Sequence, residues 1–234
     1  MDKETYDLID SQVVYEDNHI IILNKRASQI VQGDKTGDES LCDILKDYLK
    51  CKYNKPGQVF CGLVHRLDRP VSGLVMFAKT DKALSRLTKQ IKDREINKTY
   101  WAIVKNAPKN TEGTLVNYLK RNEKQNKSYI VSEGTPNAKQ AILEYKLLAQ
   151  SGGGYYLIEV KLHTGRHHQI RAQLAGMGCP IRGDLKYGYP RSNPDGSISL
   201  HARYLSFVHP VKKELVEVDA LPNDGDNLWK VFEL

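Results

Sequence analysis

The fold of this chain is decided by residues 59–78, whose sequence is VFCGLVHRLDRPVSGLVMFA. An apolar run at residues 59–64 precedes a charged segment, and a second apolar run follows it at residues 74–78. Two short apolar runs separated by Gly, Pro and charged residues are typical of two buried strands joined by a loop. The sequence therefore predicts a strand, a loop over residues 65–73 and a second strand.

On the N-terminal side, the pattern predicts two more strands and one helix. The apolar residues 13–15 and 20–23 flank an acidic turn at residues 16–18, as in two short strands. Residues 39–50 carry apolar side chains at helical spacing, and Ser40 is a suitable N-cap. We expect this helix to lie on the surface with one buried stripe.

On the C-terminal side, the predicted elements follow one another without a repeat or a linker. A helix should begin after Thr80 and end near Arg94, and residues 99–104 should form a strand. Residues 113–162 alternate strand-like runs with turn residues, which predicts an antiparallel meander. A helix over residues 167–177, strands at 199–208 and 215–219, and a loop at 222–225 complete the chain.

These elements predict an α+β fold with a mixed, mostly antiparallel sheet flanked by helices. Since no composition break interrupts residues 13–221, we expect one domain over residues 1–234, with its core at about 13–222.

Composition favours a cytoplasmic protein with a polyanionic partner. The 234 residues are 40% hydrophobic and 27% charged, which excludes a disordered chain, and the formal net charge is +7. Such a charge fits nucleic acid binding, although it can also serve solubility alone.

No signal peptide and no stretch of about 18 apolar residues is present. The cysteines lack a C-x-x-C pair and should be reduced thiols: Cys42, Cys51, Cys61 and Cys179.

Asp68 is the first candidate for chemistry. It lies in the predicted loop, with Arg66 and Arg69 close in sequence, and nearby cations favour an ionised carboxylate. Such a group can be an electrostatic anchor, a base or a nucleophile, and it can also be half of an ion pair that pins a turn. The residues alone do not choose between these roles.

A second candidate cluster is TGRHHQIR at residues 164–171, where a strand runs into a helix. On the helix predicted over residues 167–177, His167 and Arg171 are four residues apart and share a face. A helix N-terminus with Arg and His is suited to an anion, although a solvated polar face is the alternative. Together with His163 the cluster holds three histidines, but Thr164 and Gly165 interrupt their spacing, so we predict no metal site.

Six ordered groups of short motifs occur along the chain. They are YEDNH at 15–19 leading to NK at 24–25, VHRLD at 64–68 with SGL at 72–74, KTY at 98–100, LHTGRHHQIR at 162–171, GD at 183–184 with YG at 187–188, and LHA at 200–202 with HP at 209–210. Together they resemble the RluA family of pseudouridine synthases, and the resemblance covers about residues 13–222.

This resemblance implies an isomerase that converts uridine in RNA to pseudouridine. Asp68 would be the nucleophile, attacking either the ribose C1′ or the base, and Arg171 would pair with it. Tyr100 would stack on the target base and help to remove the C5 proton, while Arg66 would support the flipped-out nucleotide. Because the product is an isomer of the substrate, no cofactor, metal or ATP is implied.

The resemblance also implies a central cleft formed by the 65–73 loop, Tyr100 and residues 165–171. Besides Arg66, the expected substrate-binding residues are His65, Arg166, His168 and Gln169. Further phosphate contacts could come from Lys120, Arg121, Lys124 and Lys127.

We expect the partner to be a structured stem-loop of rRNA or tRNA, bound by a monomer without an obligatory protein partner. We expect no separate N-terminal RNA-binding domain, because only about a dozen residues precede the first motif. Two rival functions remain: a catalytically silent RNA-binding protein of the same fold, and a metal-dependent RNA hydrolase.

Overall fold

The computed structural model describes residues 1–33, 37–222 and 227–232. The described helices are α1 (Lys3–Gln12), α2 (Leu41–Lys52), α3 (Asp81–Asp93) and α4 (Gln169–Gly176), with short 3₁₀ turns at Leu185–Tyr187 and Trp229–Phe232. The described strands are β1 (Val13–Glu16), β2 (Ile20–Lys25), β3 (Gly62–Leu63), β4 (Ser72–Ala78), β5 (Asn97–Val104), β6 (Glu112–Asn122), β7 (Lys127–Val131), β8 (Lys139–Gln150), β9 (Tyr156–Leu162), β10 (Leu200–Val208) and β11 (Leu215–Asp219). Every helix in the described part of the chain is too short or too polar to cross a membrane.

The chain forms two compact units. Unit 1 comprises Met1–Ile96 and Ala202–Asp224, and unit 2 comprises Asn97–His201 and Gly225–Leu234. That these units act as one catalytic domain remains a prediction. The loop predicted at residues 222–225 lies, apart from Pro222, outside the described residues.

Unit 1 is built on two strands that are buried along their whole length. Every residue of β2 and of β4 is buried, and the two strands pair antiparallel, with Ile20 opposite Ala78. The strand order is β1, β2, β4, β10, with β3 on β4 and β11 on β10. Continuous apolar runs of this kind suit strands that are covered on both faces. Helix α1 packs on β2, and α3 packs on β4.

Local caps determine where the helices of unit 1 begin. Ser40 accepts a hydrogen bond from the backbone N–H of Asp43, and Thr80 accepts one from Ala83, so α2 and α3 begin where the sequence predicts. The strand predicted at residues 59–64 is wrong over its first three residues. Gly62–Leu63 pairs with β4, the backbone N–H of Val64 donates to the Met76 carbonyl of the same strand, and Phe60 is exposed.

A buried histidine closes the turn between β10 and β11. The side chain of His209 is fully buried, and its Nδ1 accepts hydrogen bonds from the backbone N–H groups of Val211 and Lys212. Its Nε2 must therefore carry the proton, which it donates to Asp17 at 2.7 Å. This contact gives a structural role to two motif residues, the aspartate of YEDNH and the histidine of HP.

Unit 2 contains the predicted meander, with strand order β5, β9, β8, β6, β7. The pairings β5 to β9, β9 to β8, β8 to β6 and β6 to β7 are all antiparallel. One core cluster holds Trp101, Ile103, Leu157 and Phe232. A second cluster packs the strands against α4 and contains Leu119, Ala141, Ala172 and Tyr187.

Candidate active site

The loop that carries Asp68 is held by a buried lysine at the end of β2. Lys25 is fully buried, and its Nζ donates hydrogen bonds to the carbonyl oxygens of Val71 at 2.7 Å and Arg69 at 3.2 Å. The backbone N–H of Ser28 also donates to the Arg69 carbonyl, and that of Val71 donates to the carbonyl of Asp68. The backbone that follows Asp68 is therefore fixed from two sides.

Lys25→Met is expected to destabilise unit 1 by about 3 kcal/mol, since the loop loses its charged donor to the Val71 and Arg69 carbonyls in a buried position. Urea unfolding followed by circular dichroism measures this change. Lys89→Met is the control, because the Lys89 side chain is 77% exposed and its ion pair with Asp93 lies on the surface of α3. Equal unfolding free energies for the two variants would contradict the anchoring role.

The residues next to Asp68 in sequence differ in their exposure and in the groups that they contact. Asp68 is half-buried, whereas Arg66 is exposed. Arg69, which the sequence places beside Asp68, forms an ion pair with Asp38 at 2.7 Å. His65 accepts a hydrogen bond from the backbone N–H of Met76 through Nε2.

His65 and Arg66 line an open cavity of about 520 Å³ in unit 1. The other lining residues belong to the segment before α2, to the start of α2 and to the chain around β3. They are Gln32, Gly33, Ser40, Cys42, Asp43, Lys46, Cys61, Leu63 and Val64. Two of the predicted substrate-binding residues thus lie beside a space large enough for a nucleotide.

Gly73 brings the backbone of β4 very close to β10. Its φ of +112° lies in the region that side chains rarely adopt, and a Cβ atom there would lie 2.4 Å from the backbone nitrogen and oxygen of Ala202. This close approach explains why glycine follows Ser72 at the end of the 65–73 loop.

In unit 2, Tyr100 lies on β5 opposite Val160 of β9 and is buried, with 6% of its surface exposed. Its neighbour Trp101 belongs to the core cluster with Phe232. A well-packed strand therefore fixes the backbone that carries Tyr100.

The turn before α4 is braced by Gln169. Its Oε1 accepts hydrogen bonds from Thr164 Oγ1 at 2.8 Å and from the backbone N–H of Arg166 at 3.0 Å, and its Nε2 donates to the Ile142 carbonyl. Arg166 donates through Nε to the Gln140 carbonyl. Gln169 is only 3% exposed, so its position supports the turn, and a contact with substrate remains a prediction.

Helix α4 begins later than the sequence predicts. His168 is its N-cap and has a left-handed φ of +52°, so His167 precedes the helix and the expected shared face with Arg171 is wrong. The His167 ring instead stacks on His168 with centroids 3.8 Å apart, and His167 Nδ1 contacts Ser128 Oγ at 2.8 Å.

Arg171 is held by the buried carboxylate of Asp184. Asp184 belongs to the GD motif, and the sequence did not indicate a role for it. Arg171 Nε donates to Asp184 Oδ2 at 2.7 Å, and Nη2 donates to Asp184 Oδ1 at 2.8 Å. Both residues are buried, with 5% and 1% of their surfaces exposed. This bidentate pair sets the plane of the guanidinium.

His168 completes the surroundings of Arg171. Its Nε2 lies 3.1 Å from Arg171 Nη1, which can only donate, so Nε2 is the acceptor and Nδ1 carries the proton. Nδ1 then donates to Tyr187 Oη at 2.9 Å, and that oxygen also accepts from the backbone N–H of Ser128. Burial, together with the charge of Arg171, lowers the pKa of His168 to about 2, so the ring stays neutral.

The described residues contain no group of three or more His, Cys, Asp and Glu side chains that could hold a metal. His163, the first of the three clustered histidines, faces Glu144 at 2.9 Å.

The chain is similar to known proteins in both sequence and structure. A family model described as RNA pseudouridylate synthase matches residues 19–176. The ribosomal large subunit pseudouridine synthase D of Zymomonas mobilis is 33% identical, with 94% of this chain and 72% of that protein covered. The ribosomal large subunit pseudouridine synthase C of Rickettsia prowazekii is 34% identical, with 91% and 68% covered.

Among solved structures, human RNA pseudouridylate synthase domain containing 4 has a TM-score of 0.76 and 23% identity, with 94% of this chain and 93% of that chain covered. This likeness confirms the α+β fold. The sequence matches place the chain among the RNA pseudouridine synthases, which are isomerases. Within that class, it belongs to the RluA family, as its ordered motifs predicted.

Proposed function

We propose that this protein isomerises specific uridines of large-subunit rRNA or tRNA to pseudouridine, with Asp68 as the nucleophile. The observation that carries the proposal is the family match over residues 19–176, a segment that contains Asp68, Tyr100 and Arg171. The braced backbone on which each of these residues lies supports it. The names of the relatives, which are ribosomal large subunit synthases, favour rRNA as the first substrate to test.

In the proposed reaction, Asp68 attacks the target uridine at the ribose C1′ or at the base. The bond between C1′ and N1 breaks, the base turns, and a bond between C1′ and C5 forms. N1 gains a proton and C5 loses one, so the product is an isomer and no redox partner or co-substrate is consumed. Arg171 is proposed to pair with Asp68 and orient it, and Tyr100 to stack on the base and assist removal of the C5 proton.

Recognition requires the uridine to leave its stack in folded RNA. Arg66, exposed beside the cavity of unit 1, is proposed to support the displaced nucleotide together with His65. Arg166 is proposed to contact the RNA backbone, and the positive net charge of the chain favours binding to phosphates. His168 and Gln169 are proposed to shape the substrate site from behind, because both are buried.

We further propose that the protein works as a monomer in the cytoplasm and needs neither metal nor cofactor. The assay is incubation with large-subunit rRNA and tRNA that carry tritium at uridine C5, with and without EDTA. Tritium release that survives EDTA is expected. Tight RNA binding without release from any cellular rRNA or tRNA would favour the silent RNA-binding protein, and release that EDTA abolishes would favour metal-dependent chemistry.

A further inference from the structure

Arg171 is surrounded by buried partners that go beyond the proposed catalytic set. We propose that Asp184 and His168 are positioning residues, which fix the guanidinium of Arg171 in the orientation that isomerisation requires. This inference rests on the proposed function, in which Arg171 pairs with the nucleophile.

Asp184 binds one edge of the Arg171 guanidinium. Its two oxygens bind the Nε and Nη2 hydrogens of Arg171 at 2.7 and 2.8 Å, and His168 Nε2 takes a hydrogen of Nη1. These contacts use one N–H donor on each of the three nitrogens of Arg171, so together they set both the plane and the rotation of the guanidinium.

Hydrogen bonds fix the backbone that carries the Asp184 carboxylate. The backbone N–H of Asp184 donates to the Ile181 carbonyl, and the Asp184 carbonyl accepts from the N–H groups of Tyr187 and Tyr189. The preceding Gly183 has a φ of +86°. The same turn presents the Tyr187 ring, whose centroid lies 5.1 Å from Arg171 Cζ. One turn therefore supplies both the carboxylate and the ring that confine the guanidinium.

His168 acts as a neutral acceptor. The hydrogen bond from its Nδ1 to Tyr187 Oη leaves Nε2 as the atom that faces Arg171. An imidazolium would instead direct a second donor at the guanidinium, and the burial of His168 beside Arg171 disfavours that form. The ring thus limits rotation of the guanidinium on the side that Asp184 does not reach.

Stability alone does not account for this arrangement. The attraction within a buried ion pair is largely offset by the cost of removing both charges from water. Such a pair therefore often adds nothing to the free energy of unfolding compared with apolar residues of the same size. A buried arginine whose plane is set by two partners is better explained as a preorganised group at a reaction site, where small misplacements slow the reaction strongly.

The test compares Asp184→Asn with Asp219→Asn in the full chain, assayed by tritium release. Asp219 also pairs with an arginine, Arg203, but is exposed, so its variant should keep wild-type kinetics. Asp184→Asn is expected to lower kcat about 100-fold while KM changes less than about threefold, because orientation and not binding is lost. Circular dichroism establishes that both variants fold.

A second pair of variants covers the case in which Asp184→Asn fails to fold. His168→Leu removes the acceptor and should lower kcat about tenfold, whereas His168→Gln keeps an acceptor and a donor and should restore kcat to within about threefold of wild type. Folded Asp184→Asn with wild-type kcat would overturn the inference, as would equal losses in His168→Leu and His168→Gln. An inactive wild-type chain would overturn the proposed function and this inference with it, whereas an active wild type with unaffected variants would overturn the inference alone.

Discussion

Asp68→Asn is expected to reduce tritium release from C5-labelled RNA by about 1,000-fold or more, because an amide cannot act as the attacking carboxylate. The substitution keeps the size of the side chain. The main-chain bonds of the loop, from Lys25 to the Arg69 and Val71 carbonyls, do not involve the Asp68 carboxylate. The variant should therefore fold normally and still bind RNA.

Single-turnover tritium release measures this loss, and filter binding measures RNA affinity in parallel. Asp93→Asn is the matched control, since Asp93 lies on α3 and pairs with the exposed Lys89. Asp68→Asn with more than a tenth of the wild-type rate would exclude Asp68 as the nucleophile.

Gly73→Ala is expected to prevent unit 1 from folding. The new Cβ would lie 2.4 Å from two backbone atoms of Ala202, and φ at this position is +112°. Neither strand can move away, because β4 is buried along its whole length and Ala202 is also buried. We expect a loss of about 4 kcal/mol or more, which is a large part of the stability of a typical domain.

Soluble yield and thermal unfolding measure the effect. Gly178→Ala is the control, since Gly178 has a φ of +86° but, among the described residues other than its chain neighbours, no atom lies within 4 Å of the added Cβ. Backbone strain alone should cost that variant about 1 kcal/mol. If the two variants lose the same stability, close packing of Gly73 on Ala202 is not what requires glycine.

The sequence predicted the elements whose signals are local. The apolar runs of β2 and β4, and the caps Ser40 and Thr80, set their own boundaries within a few residues. Helix α1 was missed because the structure buries only two of its ten residues, Ile9 and Gln12, which leaves little apolar periodicity. The first half of the strand predicted at residues 59–64 failed because its apolar residues include the exposed Phe60.

The candidate site was predictable only in part. Motifs identified Asp68, Tyr100 and Arg171, but no local pattern shows that Lys25 binds the backbone 44 and 46 residues away. The pairing of Arg171 with Asp184 is likewise a product of the fold, since the two lie on separate elements. The left-handed conformation of His168 also could not be foreseen, because residues other than glycine rarely adopt it.

The central claim is that this chain makes pseudouridine in cellular RNA through Asp68. The most direct measurement is a map of pseudouridines in rRNA and tRNA from cells with the gene, without it, and without it but supplied with wild-type protein or Asp68→Asn. We predict that at least one site disappears with the gene and returns with wild-type protein only. Identical maps with and without the gene, or restoration by Asp68→Asn, would contradict the account.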